Sequence, residues 1–264
     1  MGVSKVEYGG NTLIDLTNDN VSPDRVFEGD TFHGANGERK SGTFTLESEM
    51  AVQATVIDQI KMALQGKASG SGGSGGDDTL LQLLLGTLEE IDYDETITLN
   101  PYFVYNNAGI KRVRLKNATS IGDYNCRACN SLEVVDFPEL TGQSGAYFCH
   151  QCPELVSVNI PKVTGLDNYA FQSASKLEYL DLPAVQTIGN YCLRYTTALT
   201  TLILRYTGGV VTRGSSVLAS SGIANKKGYV YVPAALIEDY KVASGWSSIA
   251  DQFRAIEDYP EVCG

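Results

Sequence analysis

Histidine, tryptophan and methionine are scarce in this chain of 264 residues, with two, one and three copies. So little imidazole leaves almost no material for general bases or for activated nucleophiles. His33 sits in the turn-like stretch FHGANGE, far in sequence from His150. No serine has a nucleophile-elbow context, and no P-loop or dinucleotide fingerprint is present. Asp15, Asp19, Asp24 and Asp30 crowd together but lack the alternating spacing of a calcium loop. Turn formation through side-chain to backbone hydrogen bonds accounts for them better. Basic residues are in the minority: 20 Lys plus Arg face 31 Asp plus Glu, for a formal charge of −11. Duplex nucleic acid is thereby disfavoured as a partner, since affinity there comes mainly from neutralising phosphates. No apolar run approaches the roughly 18 residues of a membrane span. MGVSKVEYGG lacks the apolar h-region, roughly 7–15 residues long, of a secretory signal. The expectation is a chain that neither inserts into a membrane nor is secreted by that route, which disfavours an ordinary exported adhesin.

What the chain has is a repeat. Ile110, Leu132, Leu155, Leu177 and Leu199 open successive units, at steps of 22, 23, 22 and 22 residues. Such a period means a solenoid, in which each unit buries its apolar face against its neighbours. Three residues after each opening position stand Val113, Val135, Val158, Leu180 and Leu202. Two further on stand Leu115, Phe137, Ile160, Leu182 and Leu204. The alternating pair at the end of this pattern reads as a short strand with one face buried. Pro138, Pro161 and Pro183 follow directly and stop it by removing a backbone donor.

The other half of the unit is aromatic. Eight residues before each opening position is a tyrosine: Tyr102, Tyr124, Tyr147, Tyr169 and Tyr191. Two residues later come Val104, Cys126, Cys149, Phe171 and Leu193. Gly122, Gly145 and Gly189 turn the chain upstream, and the half-unit is expected to be a short helical or 3₁₀ segment. The tyrosine column reads either as a stacked, partly buried ladder or as a binding stripe. An apolar body with a polar tip suits such an edge. His150, between two core columns, is expected to point outward.

The pattern L-x-x-L-x-L-P-x-(V/A)-x-x-I-G-x-x-(A/C)-F-x-x-C-x-x-L is similar to the BspA-like leucine-rich repeats, and LEYLDLPAVQTIGNYCLRYTTAL, residues 177–199, shows it well. The resemblance spans roughly residues 88–260. It implies an α/β solenoid: a right-handed leucine-rich repeat with short strands on one face, a small N-terminal α+β segment and a C-terminal capping module. Members occur in bacterial surface proteins and in phage or prophage proteins. LTGQS, residues 140–144, departs by one extra residue and a missing isoleucine, and Ala174 and Thr196 replace the cysteine column. GYVYVPAALIEDYKVASGWSSIADQFRAIE, residues 228–257, resembles the module that closes such arrays in phage-like proteins. There GYVYVP is expected to be the last strand, closed by Pro233. Ala234–Ala243 is a helix candidate with Leu236, Ile237 and Tyr240 on one face, and Trp246, Ile249 and Phe253 extend the apolar surface. Residues 10–44 resemble a segment near the start of tail-associated proteins.

Cys126-x₂-Cys129 and Cys149-x₂-Cys152 have zinc-like spacing, with His150 as a spare ligand. The repeat explains them without metal: Cys126 and Cys149 share one column, Cys129 and Cys152 another, and small thiols suit such ladders. A metal site and a redox pair stay open as alternatives. Cys192 belongs to the core, and Cys263, at the tail, is reactive if exposed.

The domain reading is residues 1–67 as an N-terminal docking domain with a helix at about 47–65, and 68–78 as a Gly/Ser linker, natural or an engineered join. Residues 79–206 form the solenoid and 207–264 the capping module. The function expected is non-enzymatic, without catalytic residues, cofactor or metal. It is a phage or prophage virion protein at the tail or baseplate, serving host recognition or structural decoration. The alternative is a bacterial cell-surface adhesion module. Partners would be other virion proteins through the N-terminal domain and a bacterial surface protein or glycan, with homo-oligomer formation a further expectation. If the solenoid binds through its strands, the exposed positions are Arg112, Arg114, Glu133, Asp136, Ser157, Asn159, Glu178, Asp181, Thr201 and Ile203.

Overall fold

A computed structural model describes four short strands within the first 61 residues and then residues 89–264, apart from Asn100. The chain divides into two compact units, Met1–Lys61 and Met62–Gly264. In the first, β1 (Lys5–Tyr8) pairs antiparallel with β2 (Asn11–Asp15), and β3 (Thr31–His33) with β4 (Arg39–Ser41). The helix expected at about 47–65 and the Gly/Ser linker at 68–78 lie outside the described residues.

In the second unit the chain coils, and among the described residues every strand pairing is parallel. β5 (Glu90–Leu99), β6 (Arg112–Ile121), β7 (Val134–Asp136) and β9 (Ser157–Asn159) form one sheet. β11 (Tyr179–Leu182), β13 (Thr201–Leu204), β15 (Tyr229–Val232) and β16 (Phe253–Ala255) form a second. β6, β7, β9, β11 and β13 are the strands that the repeat pattern predicts, and β15 is the strand expected at GYVYVP; β5 and β16 lie outside that pattern. GYVYVP is not the last of them, because Phe253–Ala255 pairs beyond it, Val230 against Phe253. A third sheet stacks β8 (Gly142–Gln143), β10 (Val163–Leu166), β12 (Thr187–Ile188) and β14 (Thr212–Arg213).

The core columns are the repeat columns. Ile110, Leu132, Leu155, Leu177 and Leu199 are fully buried, as are Leu115, Phe137, Leu182 and Leu204. Val158 is the exception in its column, only partly buried. LTGQS is where the third sheet loses register, between Val163 and Gly165, and Gly142 takes a φ of +71° there. Ser144 fills the isoleucine position fully buried. It donates to the Gly145 carbonyl at 3.2 Å and accepts from the Asp167 N–H at 3.1 Å.

The tyrosine half-unit is not helical, which corrects the α/β expectation: this is a solenoid related to leucine-rich repeats, but mostly β. Among the described residues no helix precedes Ala234. Each tyrosine of the column, Tyr102, Tyr124, Tyr147, Tyr169 and Tyr191, sits in the left-handed region, at φ between 57° and 67°. A second left-handed residue follows four positions on, as at Ala128, Gln151, Ser173 and Tyr195. Two such reversals rule out a helical run. The N–H groups between them donate along the solenoid axis instead. Tyr147 donates to the Asn168 carbonyl at 2.9 Å, Cys149 to Ala170 at 2.7 Å and Gln151 to Gln172 at 2.8 Å. The same three bonds recur at the neighbouring junctions.

Beyond the last repeats, Ala234–Leu236 is a 3₁₀ turn running into the helix Ile237–Val242, with Tyr240 buried. Trp246, Tyr240 and Phe253 cluster with ring centroids 5.2–5.9 Å apart. Trp246 Nε1 donates to the Val211 carbonyl at 2.7 Å, and Tyr240 Oη accepts from the Val211 N–H at 3.0 Å. Side chains thus satisfy a backbone that would otherwise pair with another coil.

Candidate functional site

The positions expected to bind lie on two sheets. In the first, Arg112, Val134 and Ser157 share one cross-strand row, and Arg114, Asp136 and Asn159 the next but one. Their charges are largely spent on one another. Glu90 pairs with both Arg112, at 3.1 Å, and Arg114. Asn159 Nδ2 donates to Asp136 Oδ1 at 2.7 Å. Ser157 and Asn159 are exposed, and Glu133 is half-buried at the entry to β7. In the second sheet, Glu178 is exposed, Thr201 is half-buried, and Asp181 holds Arg205 through a two-pronged pair with its closest contact at 2.7 Å. Ile203 is not exposed at all. It packs against Tyr231 and Cys263, with Ile256, Tyr259 and Val262 around them. The chain's last residues return over this sheet and cover it. Cys263 is buried in that contact, so the condition for its reactivity is not met.

A different edge gathers chemistry that the strand reading misses. Tyr102, Tyr124, Tyr147, Tyr169 and Tyr191 stack face to face, with centroids 4.6–5.1 Å apart and planes within 18° of parallel. The spacing is that of adjacent strands, as stacked coils require. Three residues after each tyrosine runs a second column: Tyr105, Arg127, His150, Gln172 and Arg194. The Arg127 guanidinium lies 5.5 Å from the Tyr147 ring centre and 5.6 Å from those of Tyr124 and Tyr105. Arg194 lies 5.4 Å from Tyr191 and 4.4 Å from Tyr195. The signal for this column was present, since it keeps the same period as the tyrosines.

His150 does not point outward. It is buried edge-on against Tyr147 and Tyr169, and its Nδ1 accepts from Arg127 Nε at 3.3 Å. Burial, and then the Arg127 charge, lower its pKa below the ordinary 6.5. Asp167 shifts the other way, raised by burial and by Asp123.

The four paired cysteines are fully buried and free. Cys129 Sγ donates to the Val104 carbonyl at 2.8 Å and Cys152 Sγ to the Cys126 carbonyl at 3.0 Å. A donating thiol is protonated, whereas a metal ligand must be a thiolate. Burial and the neighbouring thiols push Cys129 and Cys149 well above the usual thiol range, and burial pushes Cys192 up to about 12. Among the described residues, no three His, Cys, Asp or Glu side chains are arranged to hold a metal ion.

Comparison with known families decides the broad class. A model of the BspA type leucine-rich repeat region matches residues 87–223 in six copies. The chain belongs to the BspA-type leucine-rich repeat family. No curated protein gives a significant match. BspA-type repeats are non-catalytic scaffolds, and their general role is recognition or adhesion. The geometry accords with that: stacked coils and long open faces, with core columns that carry packing. Among the described residues no helix is long and apolar enough to cross a membrane.

Proposed function

We propose that this chain is a non-enzymatic phage or prophage virion protein, associated with the tail or baseplate, whose repeats recognise the host surface. Its N-terminal segment would contact other virion proteins, and the repeats would meet a bacterial surface glycan or protein. The observation that carries this reading is the six-copy repeat itself, whose stacked coils offer a surface many coils long. The similarity of residues 228–257 and 10–44 to segments of phage-like proteins supports the virion setting. The competing reading is an adhesion module on a bacterial surface. It draws on the family match, which covers residues 87–223 and is neutral about the setting.

Flow cytometry of the fluorescently labelled full chain on intact bacteria tests the proposal. Saturable binding, competed by unlabelled chain and confined to a subset of strains, is expected. Binding to no strain in a broad panel would move the protein to a structural role inside the particle. Binding to animal-cell glycoproteins in preference to bacteria would favour the adhesion module.

A further inference from the structure

We propose that the tyrosine edge of the solenoid, and not its strand face, is the binding surface, and that its ligand is an acidic polysaccharide lying along the solenoid axis. The inference deepens the recognition reading and rests on it.

The first ground is how the cations divide. On the strands of the repeats they pair across neighbouring coils, Arg112 and Arg114 with Glu90 and Arg205 with Asp181, whereas at the C-terminal end Arg213 lies over Trp246 and Arg254 over Tyr229. On the tyrosine edge, Arg127 and Arg194 have no carboxylate partner among the described residues. Rings hold them instead, together with the Arg127 bond to His150 and an Arg194 Nη2 bond to Tyr195 Oη at 2.7 Å. Asp123 and Asp167 flank the ladder, but among the described residues neither forms an ion pair with Arg127 or Arg194, and Asp123 Oδ1 accepts from the Ala146 N–H at 2.8 Å. In a chain of net charge −11, two fixed guanidiniums without a direct ion pair form a local preference for anions. Their rings pre-organise them, so little freedom is lost on binding.

The second ground is what the rings leave accessible. Tyr124, Tyr147 and Tyr169 each have both faces covered by neighbouring tyrosines, and the rings are half-buried. Nucleobases need free faces to stack on. Protein hot spots need pockets for buried anchors. A row of ring edges and phenol tips offers neither, but it suits a partner rich in hydroxyls and carboxylates. Arg127 and Arg194 are three coils apart, at about 4.8 Å per coil. That separation selects an extended polyanion over a single small anion.

The test is biolayer interferometry of the full chain on immobilised polygalacturonate, with dextran as the neutral polymer and poly-glutamate as the acidic polypeptide. Saturable binding to polygalacturonate is expected, falling between about 0.05 M and about 0.3 M salt. The double variant Arg127→Gln/Arg194→Gln should weaken it about tenfold. Arg112→Gln/Arg114→Gln on the strand side should leave it unchanged. Arg127→Lys/Arg194→Lys, which keeps the charge, should bind more tightly than the glutamine pair. If the glutamine pair does not fold by circular dichroism, the lysine pair and the salt series decide. Equal binding to dextran, salt-independent binding, a preference for poly-glutamate, or indifference to the arginines would overturn the proposal. Cell binding that survives the glutamine pair would overturn this site while leaving host recognition standing. Arginine-dependent polygalacturonate binding without any cell binding would uphold the site and sink the recognition reading.

Discussion

At the residue scale, the tyrosines carry a conformation that bulky side chains rarely adopt. Tyr147, at φ +57°, is held by two stacked neighbours and by its axial hydrogen bond. Tyr147→Ala should lose both stacks, each about 0.5–1.5 kcal/mol, and keep the backbone strain. Tyr147→Gly loses the same stacks but relieves the strain, so it should be the milder change by about 1 kcal/mol in urea unfolding. His150 gives a pH signature. Its folded pKa is below the ordinary 6.5, so the unfolded chain takes up the proton first as pH falls. Its effect on stability is flat above about 6.5 and becomes destabilising below that value. Urea midpoints of the protein and of His150→Gln should therefore converge or cross as pH drops from about 7.5 to about 5.5. A constant difference between them would contradict the assignment. The thiols answer to access: Ellman's reagent at mildly alkaline pH should find almost none in the native chain and all six after denaturation.

At the element scale, the first-strand columns were legible because alternation and proline mark them directly. Leu177, Leu180 and Leu182 are all fully buried, the last two in β11 where the pattern puts a strand. The tyrosine segment was misread because an apolar pair spaced by two, as in Tyr147 and Cys149, fits a turn as well as a helix. Side-chain pattern alone carries no trace of where the amides donate. The second strand in each coil, such as Thr187–Ile188, is two to four residues long, too short for periodicity to mark. What did mark it is glycine. A Cβ on Gly189 would meet the Asn168 backbone of the preceding coil. Gly189→Ala should thus force the coils apart locally and cost more than the roughly 1 kcal/mol gain that a Gly→Ala change brings at an open site. Thermal denaturation reads the sign. Of the candidate site, the tyrosine column and the column three residues after it were visible as period, but the ring contacts of the arginines were not. Only stacking shows that Arg127 contacts rings from three coils. Ile203 was misplaced for a related reason, since its cover comes from residues about 60 positions later in the chain. Trp246→Phe should cost about 1–3 kcal/mol by orphaning the Val211 carbonyl at the end of the array.

At the scale of the whole molecule, each coil contacts chiefly its neighbours, so stability is a sum of unit and interface contributions. Leu177→Ala, in the middle of the array, should cost about 2–5 kcal/mol by opening a cavity between coils. The same regularity leaves the molecule's outer faces free to differ. One side spends its charges on itself, one end is covered by the chain's own terminus, and the tyrosine edge keeps two cations without a direct ion pair. The central claim is that this edge is where a bacterial surface is recognised. Oxidative footprinting of the full chain, free and bound to intact cells of a strain that it recognises, tests it most directly. The account predicts protection of Tyr124, Tyr147 and Tyr169 on binding, with peptides from β7 and β9 unchanged. Protection confined to those strands, or to residues outside 89–264, would contradict it.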